Sequence, residues 1–379
     1  MRVLVLGTQS FLDWGTKVGS QFLAEEMARE GWEVDYISTL SSPIDAITSS
    51  RRRRFRRAWM RREASTRVAD GLVEWSVRSL YPAHRLFLRA SWQIEFLGKL
   101  LPEGISRKRY DVCISDICPN MALVKLISSR IKICRLNDWP KGFSADIHEV
   151  LIEELESLLR GADFSEIWAV SGALEKYAKE QNPKASVHYM PNGVDVSILE
   201  YNLIKKRIPS GNAKSAVYIG AQAGWFDYEL VEQVAVAMSD WDFFVYGDRS
   251  RTHAVTSPNL HWMDPVGRDE IPSVLSLHSV GIIPFKDLNG RLAYVEMPLK
   301  FYEYLAAGLG VASTDVGSLR RGMQGFASFG NGVEGFMAAI VEAARPPSQV
   351  DLQRREELIT QSTWSARAAE MIARLRALG

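Results

Sequence analysis

Short apolar runs alternate along this chain with stretches whose apolar residues recur at helical spacing. Arg2–Leu6 is a run of the first kind, broken by Gly7-Thr8-Gln9-Ser10. Over 16–30, Val18, Phe22, Leu23 and Met27 fall near helical spacing, Gly31 ends the stretch, and 33–38 reads as the next strand. This order opens a βαβ unit on a parallel sheet. Further strands are predicted at 111–115, 132–136, 166–170 and 187–190, with helical patterns between them. After a turn cluster, Pro191-Asn192-Gly193-Val194-Asp195, and a polar stretch to Asn212, a second series begins. Its strands are predicted at 216–220, 243–246, 260–262, 280–284 and 311–314, separated by helices near 228–238, 271–277, 298–307 and 333–344. One more helix closes the chain, over roughly 364–378.

The pattern predicts an α/β protein of two doubly wound, Rossmann-like parallel-sheet domains, 1–195 and 196–362. Two such domains place a ligand cleft between their strand C-termini. The length of 379 residues fits two domains. No apolar run is long enough to cross a membrane as a helix, and the N-terminal run is too short for a signal peptide. Cys113, Cys118 and Cys134 form no CxxC pair; reduced, buried thiols and the cytosol are expected.

Several chemistries lack their signature. There is no GxxxxGK[ST] loop, no GxSxG, no HExxH, and the first turn carries no GxGxxG. Asp240-Trp241-Asp242 is a DxD triplet, but it sits at a helix-to-strand turn, where acidic residues are common. No metal ligand set is assigned.

The richest stretch runs from Ile282-Ile283-Pro284-Phe285 to Glu296-Met297-Pro298-Leu299-Lys300-Phe301-Tyr302-Glu303. A strand ends, a loop follows, and a helix starts near Pro298, a residue suited to a first helical turn. The free N–H groups of such a helix suit a diphosphate. Lys300, a cation where the dipole disfavours one, calls for an anionic partner. Glu303, one turn on, can accept two ribose hydroxyls or can form a surface ion pair with Lys300.

Pro298-Leu299-Lys300-Phe301-Tyr302-Glu303-Tyr304-Leu305-Ala306-Ala307-Gly308 resembles the donor-site helix of GT-B glycosyltransferases that use nucleotide sugars. Tyr218-Ile219-Gly220-Ala221, Trp225-Phe226-Asp227, the 191–195 turn, Val170-Ser171-Gly172-Ala173-Leu174 and the 363–368 segment occur in that family's order. Within the fold the chain is similar to the xanthan-type exopolysaccharide glucuronosyltransferase and to bacterial cell-wall sugar transferases. The resemblance implies a donor set of Gly220, Ala221, Phe285, Glu296, Lys300 and Glu303, with Lys300 on the diphosphate, Phe285 in the donor pocket and Glu303 at the ribose. It also implies that helix 363–379 packs back on the first domain. Many retaining members carry a second glutamate eight residues before the first. Val295 stands there, with Glu296 one step off, which favours inversion.

Asp138, in Arg135-Leu136-Asn137-Asp138-Trp139-Pro140, follows a predicted strand of the first domain. A carboxylate there suits the general base that an inverting transfer needs, and it matches the family's base position. An Asx-turn or a helix N-cap is the structural alternative. Arg135, Asp13 and His84 are candidate acceptor contacts, Arg135 as an orienter of Asp138 or a phosphate ligand and Asp13 as the rival base.

Charge adds a membrane. Residues 51–109 hold 16 Lys/Arg against 5 Asp/Glu, a net +11, which leaves −10 on the rest of a +1 chain. Arg51, Arg52, Arg53, Arg54, Phe55 and Trp59 combine arginines with an i,i+4 aromatic pair, as an interfacial helix on anionic lipid does. A solvated loop or a nucleic-acid patch is the alternative, and the doubly wound pair argues against nucleic acid. The resulting expectation is a cytoplasmic enzyme, peripheral on the inner face of the cytoplasmic membrane. It would move a sugar from a UDP-sugar, with UDP-glucuronate one candidate, to a lipid-linked or polysaccharide acceptor, with no cofactor and no required metal. A nucleotide-sugar epimerase and a non-catalytic membrane scaffold of the same fold are the alternatives.

Overall fold

The structure, a computed structural model, describes residues 1–7, 9–11, 17–38, 65–77, 92–93, 96, 101–143, 149–161, 163–205, 214–247 and 257–378. Its chain forms two compact units. Among the described residues the first comprises those up to 191 and those from 368 on, and the second those within 192–367. The first crossing thus falls at 191/192 and the second inside the last helix, at 367/368.

The first unit is built on an eight-stranded sheet. Its strands are β1 (Arg2–Leu6), β2 (Glu33–Ile37), β3 (Ser65–Ala69), β4 (Leu72–Trp75), β5 (Tyr110–Asp116), β6 (Ser129–Leu136), β7 (Glu166–Ala169) and β8 (Ser186–Tyr189). They lie in the order β3-β4-β2-β1-β5-β6-β7-β8, and only β3 and β4 pair antiparallel. The central strands are apolar on both faces because both are covered, as parallel sheets require. The last helix supplies part of that cover from Ala368 on. In helix Trp364–Leu378, Ala368, Met371, Ile372 and Leu375 share one face and join Val3, Val5 and Trp168 in the core. Arg374 fastens the helix by donating from Nε and Nη2 to the buried Glu166 carboxylate at 2.6 Å each, and Trp168 Nε1 donates to the same carboxylate at 2.9 Å.

The β3–β4 hairpin was not anticipated by the apolar pattern. β3 has no fully buried residue, so it shows no alternation. Its turn did carry a signal: Asp70-Gly71 joins Ala69 to its partner Leu72, with Gly71 at φ +76°.

The second unit holds six strands, β9 (Ser215–Ile219), β10 (Asp242–Tyr246), β11 (Leu260–Met263), β12 (Val280–Ile283), β13 (Gly310–Thr314) and β14 (Ser328–Gly330). Their order is β11-β10-β9-β12-β13-β14, with every pairing parallel. The chain builds outward from β9 on one side and from β12 on the other. The β9/β12 boundary is therefore the topological switch point, where ligands bind beyond the carboxyl ends of the strands. β14, three residues long, was too short to register in the sequence pattern. No helix among the described residues is long and apolar enough to cross a membrane. All three cysteines are buried and free, and burial pushes the Cys113 thiol up to about 12.

Candidate functional site

The loop after β9 is fastened to the loops of both neighbouring strands, β10 and β12. After β9, Gly220 takes φ +141°, and after β10, Gly247 takes φ +151°. A Cβ on Gly247 would stand 2.1 Å from the Gly220 carbonyl oxygen, so the two strand ends need this bare approach. Further out, Phe226 bridges Phe285, the Lys286 N–H donates to Trp225 O at 2.8 Å, and the Asp227 N–H donates to Pro284 O at 2.9 Å. The Arg291 guanidinium lies 4.8 Å from the Trp225 ring centroid.

Helix Leu299–Ala306 follows, capped by Pro298 in extended conformation. It buries Phe301, Tyr302, Tyr304 and Leu305. The Tyr304 hydroxyl accepts from the Ile219 N–H at 3.2 Å, which ties the helix to the end of β9. Lys300 and Glu303, three residues apart, share the other, half-buried side. Lys300 Nζ lies 5.0 Å from the Tyr218 ring centroid and directly over Gly220. Among the described residues it makes no salt bridge. Burial pushes its ammonium below the ordinary lysine range, with Glu303 pulling the other way. Burial likewise pushes the Glu303 carboxyl up, against the pull of Lys300 and Arg268. A desolvated cation at a helix N-terminus thus stands beside a desolvated carboxyl, an arrangement that can take an anion and hydroxyl groups.

An ion pair stands near Glu303. Arg268, in the loop after β11, binds Asp195 of the 191–195 turn. Burial raises the Asp195 carboxyl, but Arg268 and the Ser197 N–H outweigh it and bring it below the usual range. Sequence reading assigned no role to Arg268, Asp195, Tyr218 or Gly247. The available signals were a glycine directly after each strand and the position of Arg268 at a strand-to-helix loop.

In the first unit Asp138 is half-buried two residues past the end of β6, and its Oδ1 accepts from the Trp139 N–H at 2.9 Å. Arg135, read from the sequence as an orienter of Asp138 or an acceptor contact, lies inside the sheet. Its side chain is 2% exposed and donates to Asp116 Oδ1 at 2.9 Å, an internal pair between neighbouring strands.

Phe285 is 7% exposed and packs within the apolar core. Its carbonyl accepts from Thr314 Oγ1 at 2.7 Å. Ala221 is exposed beside Gly220, and its carbonyl accepts from the Tyr218 hydroxyl at 2.7 Å. Glu296 lies half-buried in the turn before Pro298. Asp13, His84, Arg51, Arg52, Arg53, Arg54, Phe55 and Trp59 lie outside the described residues. Asp240 pairs with Lys214 and Asp242 with His261. No group of three His, Cys, Asp or Glu among the described residues could hold a metal ion.

Residues 221–345 match the family model described as Glycosyl transferases group 1. That match covers the loop after β9, β12 and the Lys300 helix. A protein of Bacillus subtilis (strain 168), provisionally named as the teichuronic acid biosynthesis glycosyltransferase TuaH, is 28% identical over 147 residues. The aligned part is 36% of this chain and 36% of that relative. Sucrose-phosphate synthase from Thermosynechococcus elongatus superposes with a TM-score of 0.71 at 13% identity, covering 100% of this chain and 98% of that one. Anabaena Alr3699/HepE, solved in complex with UDP, gives 0.63 at 10% identity and covers 100% of both chains. The fold is the GT-B fold, two parallel-sheet α/β domains in one chain.

Proposed function

We propose that the protein is a glycosyltransferase that takes its sugar from a nucleotide-sugar donor, a UDP-sugar, and builds a cell-surface polysaccharide. The observation that carries this reading is Lys300, a half-buried cation that makes no salt bridge among the described residues, held over Gly220 at the β9/β12 switch point. Lys300 and the N–H groups of its helix would meet the donor diphosphate, and Glu303 the ribose hydroxyls. The UDP bound in the Anabaena neighbour and the name of the Bacillus relative support the donor class and the product class.

The finer reading is an inverting, xanthan-type transfer to a lipid-linked or glycan acceptor, with UDP-glucuronate a candidate donor. Asp138 takes the proton of the attacking hydroxyl. The hydroxyl oxygen bonds to the anomeric carbon as the bond to the diphosphate breaks, and UDP leaves. Lys300 offsets the charge that develops on the diphosphate, so turnover is expected to need no metal and to survive chelation. The +11 segment 51–109 docks the enzyme on anionic lipid at the cytoplasmic membrane.

The test is a thermal-shift screen with UDP-, GDP- and ADP-sugars, followed by product analysis. Selective stabilisation by UDP-sugars and glycoside formation are expected. Stabilisation by none of them, or an epimerised donor with no acceptor product, overturns the reading. Co-sedimentation with anionic vesicles that fails at neither low nor high salt, or equals that with neutral vesicles, removes the electrostatic docking.

A further inference from the structure

The end of β6 is held by a staple from β5. β6 loses its ladder at Leu136, which is opposite Ala169 of β7. Beyond that point no strand pairing fixes the chain, yet Asp138 lies there. Two side-chain bonds take over. Asp116, the last residue of β5, is the register partner of Arg135, and their side chains meet at 2.9 Å with 1% and 2% exposure. The next residue, Ile117, donates its N–H to Asn137 Oδ1 at 2.8 Å. The Asn137 N–H turns back to Arg135 O at 3.0 Å, so the chain bends sharply immediately before Asp138. The same β5 extension reaches the other strand ends. Asn120 Nδ2 donates to Ser38 O, after β2, at 2.8 Å, and to Gly7 O, after β1, at 3.4 Å. Residues 116–120 therefore fasten the carboxyl ends of β1, β2 and β6 to β5.

A buried ion pair is a costly way to join two strands, because both charges must leave water. It is well suited to fixing geometry, since a guanidinium bonded inside a sheet has little freedom to move. Among the described residues Asp116 Oδ2 has no hydrogen-bond partner, and Oδ1 takes the bond from Arg135.

We infer that Asn137 and the Asp116–Arg135 pair are positioning residues that hold Asp138 in its working orientation. The inference rests on the reading of Asp138 as general base. Asn137 receives the backbone of Ile117 on one side of Asp138, and the Asp138–Trp139 turn closes the other. Loss of the Asn137 acceptor removes the bond from the Ile117 N–H beside Asp138 without touching Lys300 or Glu303. Misplacement of a catalytic group by about 1 Å costs about 10²-fold in rate.

The experiment measures UDP release from UDP-glucose, UDP-glucuronate and UDP-N-acetylglucosamine, UDP affinity, and amide hydrogen exchange in Asn137→Ala and Asn137→Asp. Asn137→Ala is expected to exchange faster at Ile117 and at 137–139, to lose about 10- to 100-fold in kcat, and to bind UDP as before. Asn137→Asp keeps an acceptor oxygen for Ile117 and is expected to restore both the exchange pattern and most of kcat. The paired replacement Asp116→Leu with Arg135→Met removes the charges together, which buried pairs tolerate. It is expected to fold, to bind UDP and to lose kcat. Unchanged local exchange in Asn137→Ala overturns the inference, as does unchanged kcat or a loss that UDP affinity follows in parallel. Asp138→Asn separates the two readings: full UDP release there removes the base, and the positioning role with it. An inactive Asp138→Asn beside a fully active Asn137→Ala removes the positioning role alone.

Discussion

Lys300 Nζ occupies the space that a side chain on residue 220 would need: a Cβ built on Gly220 would stand 2.4 Å from it. The glycine and the lysine are therefore one feature, although 80 residues separate them in the chain.

Gly220→Ala tests that relationship. At φ +141° an alanine is strained by about 1–3 kcal/mol, and its methyl displaces the ammonium. UDP affinity is expected to fall at least as far as in a Lys300 variant, with a lowered melting temperature. Calorimetric titration with UDP and a thermal melt check it; wild-type affinity would detach Lys300 from the donor.

Lys300→Met is expected to lose about 10²- to 10³-fold in turnover while gaining stability. Burial holds the folded-state value of Lys300 below that of the unfolded chain. The folded protein thus binds this proton less tightly, and stability rises as pH rises through the window between the lowered and the ordinary lysine value. The methionine variant has no such slope and is expected to melt about 2 °C higher at neutral pH. UDP should stabilise the unaltered protein and leave the variant almost unmoved.

Glu303→Gln probes the ribose. A carboxylate accepting hydroxyl bonds contributes about 1.5–3 kcal/mol, so UDP affinity should fall roughly 10- to 100-fold. Discrimination against 2′-deoxy-UDP should shrink with it. Because burial raises the Glu303 carboxyl, its contribution to binding fades as pH falls through that raised value, above the ordinary glutamate range. Parallel pH profiles of UDP affinity in the two proteins would reject the assignment.

Arg374→Ala leaves Glu166 buried without its cation, which costs about 3–5 kcal/mol. Burial raises the Glu166 carboxyl, but the bonds from Arg374 and Trp168 bring it below the usual range. The clamp therefore stabilises at neutral pH and is lost as pH falls through that lowered value. In the variant the lone carboxyl protonates more easily, so the stability gap should narrow on acidification. Denaturant melts at neutral and acid pH measure this, and a gap that widens on acidification would contradict it.

Much of this architecture is local and so was legible along the chain. A run such as Val280–Ile283 is apolar at every position because both faces of its sheet are covered. The helix at 299–306 shows its buried face, Phe301, Tyr302 and Tyr304, and its polar pair, Lys300 and Glu303, within eight residues. Turns after strands announced themselves through glycine. The hairpin at 65–75 did not stand out, because a half-exposed edge pair has no apolar rhythm.

The choice of neighbours could not be read locally. Periodicity makes Ser215–Ile219 and Val280–Ile283 strands, but only long-range pairing sets them side by side and so creates the switch point over which Lys300 stands. From the sequence Arg135 reads as an orienter of Asp138 or an acceptor contact, and Phe285 as a donor-pocket aromatic from the family resemblance alone. Register brought Arg135 against Asp116, and core packing absorbed the Phe285 ring. Which cation answers which carboxylate depends on distance and burial, and both are set by contacts between residues far apart in sequence.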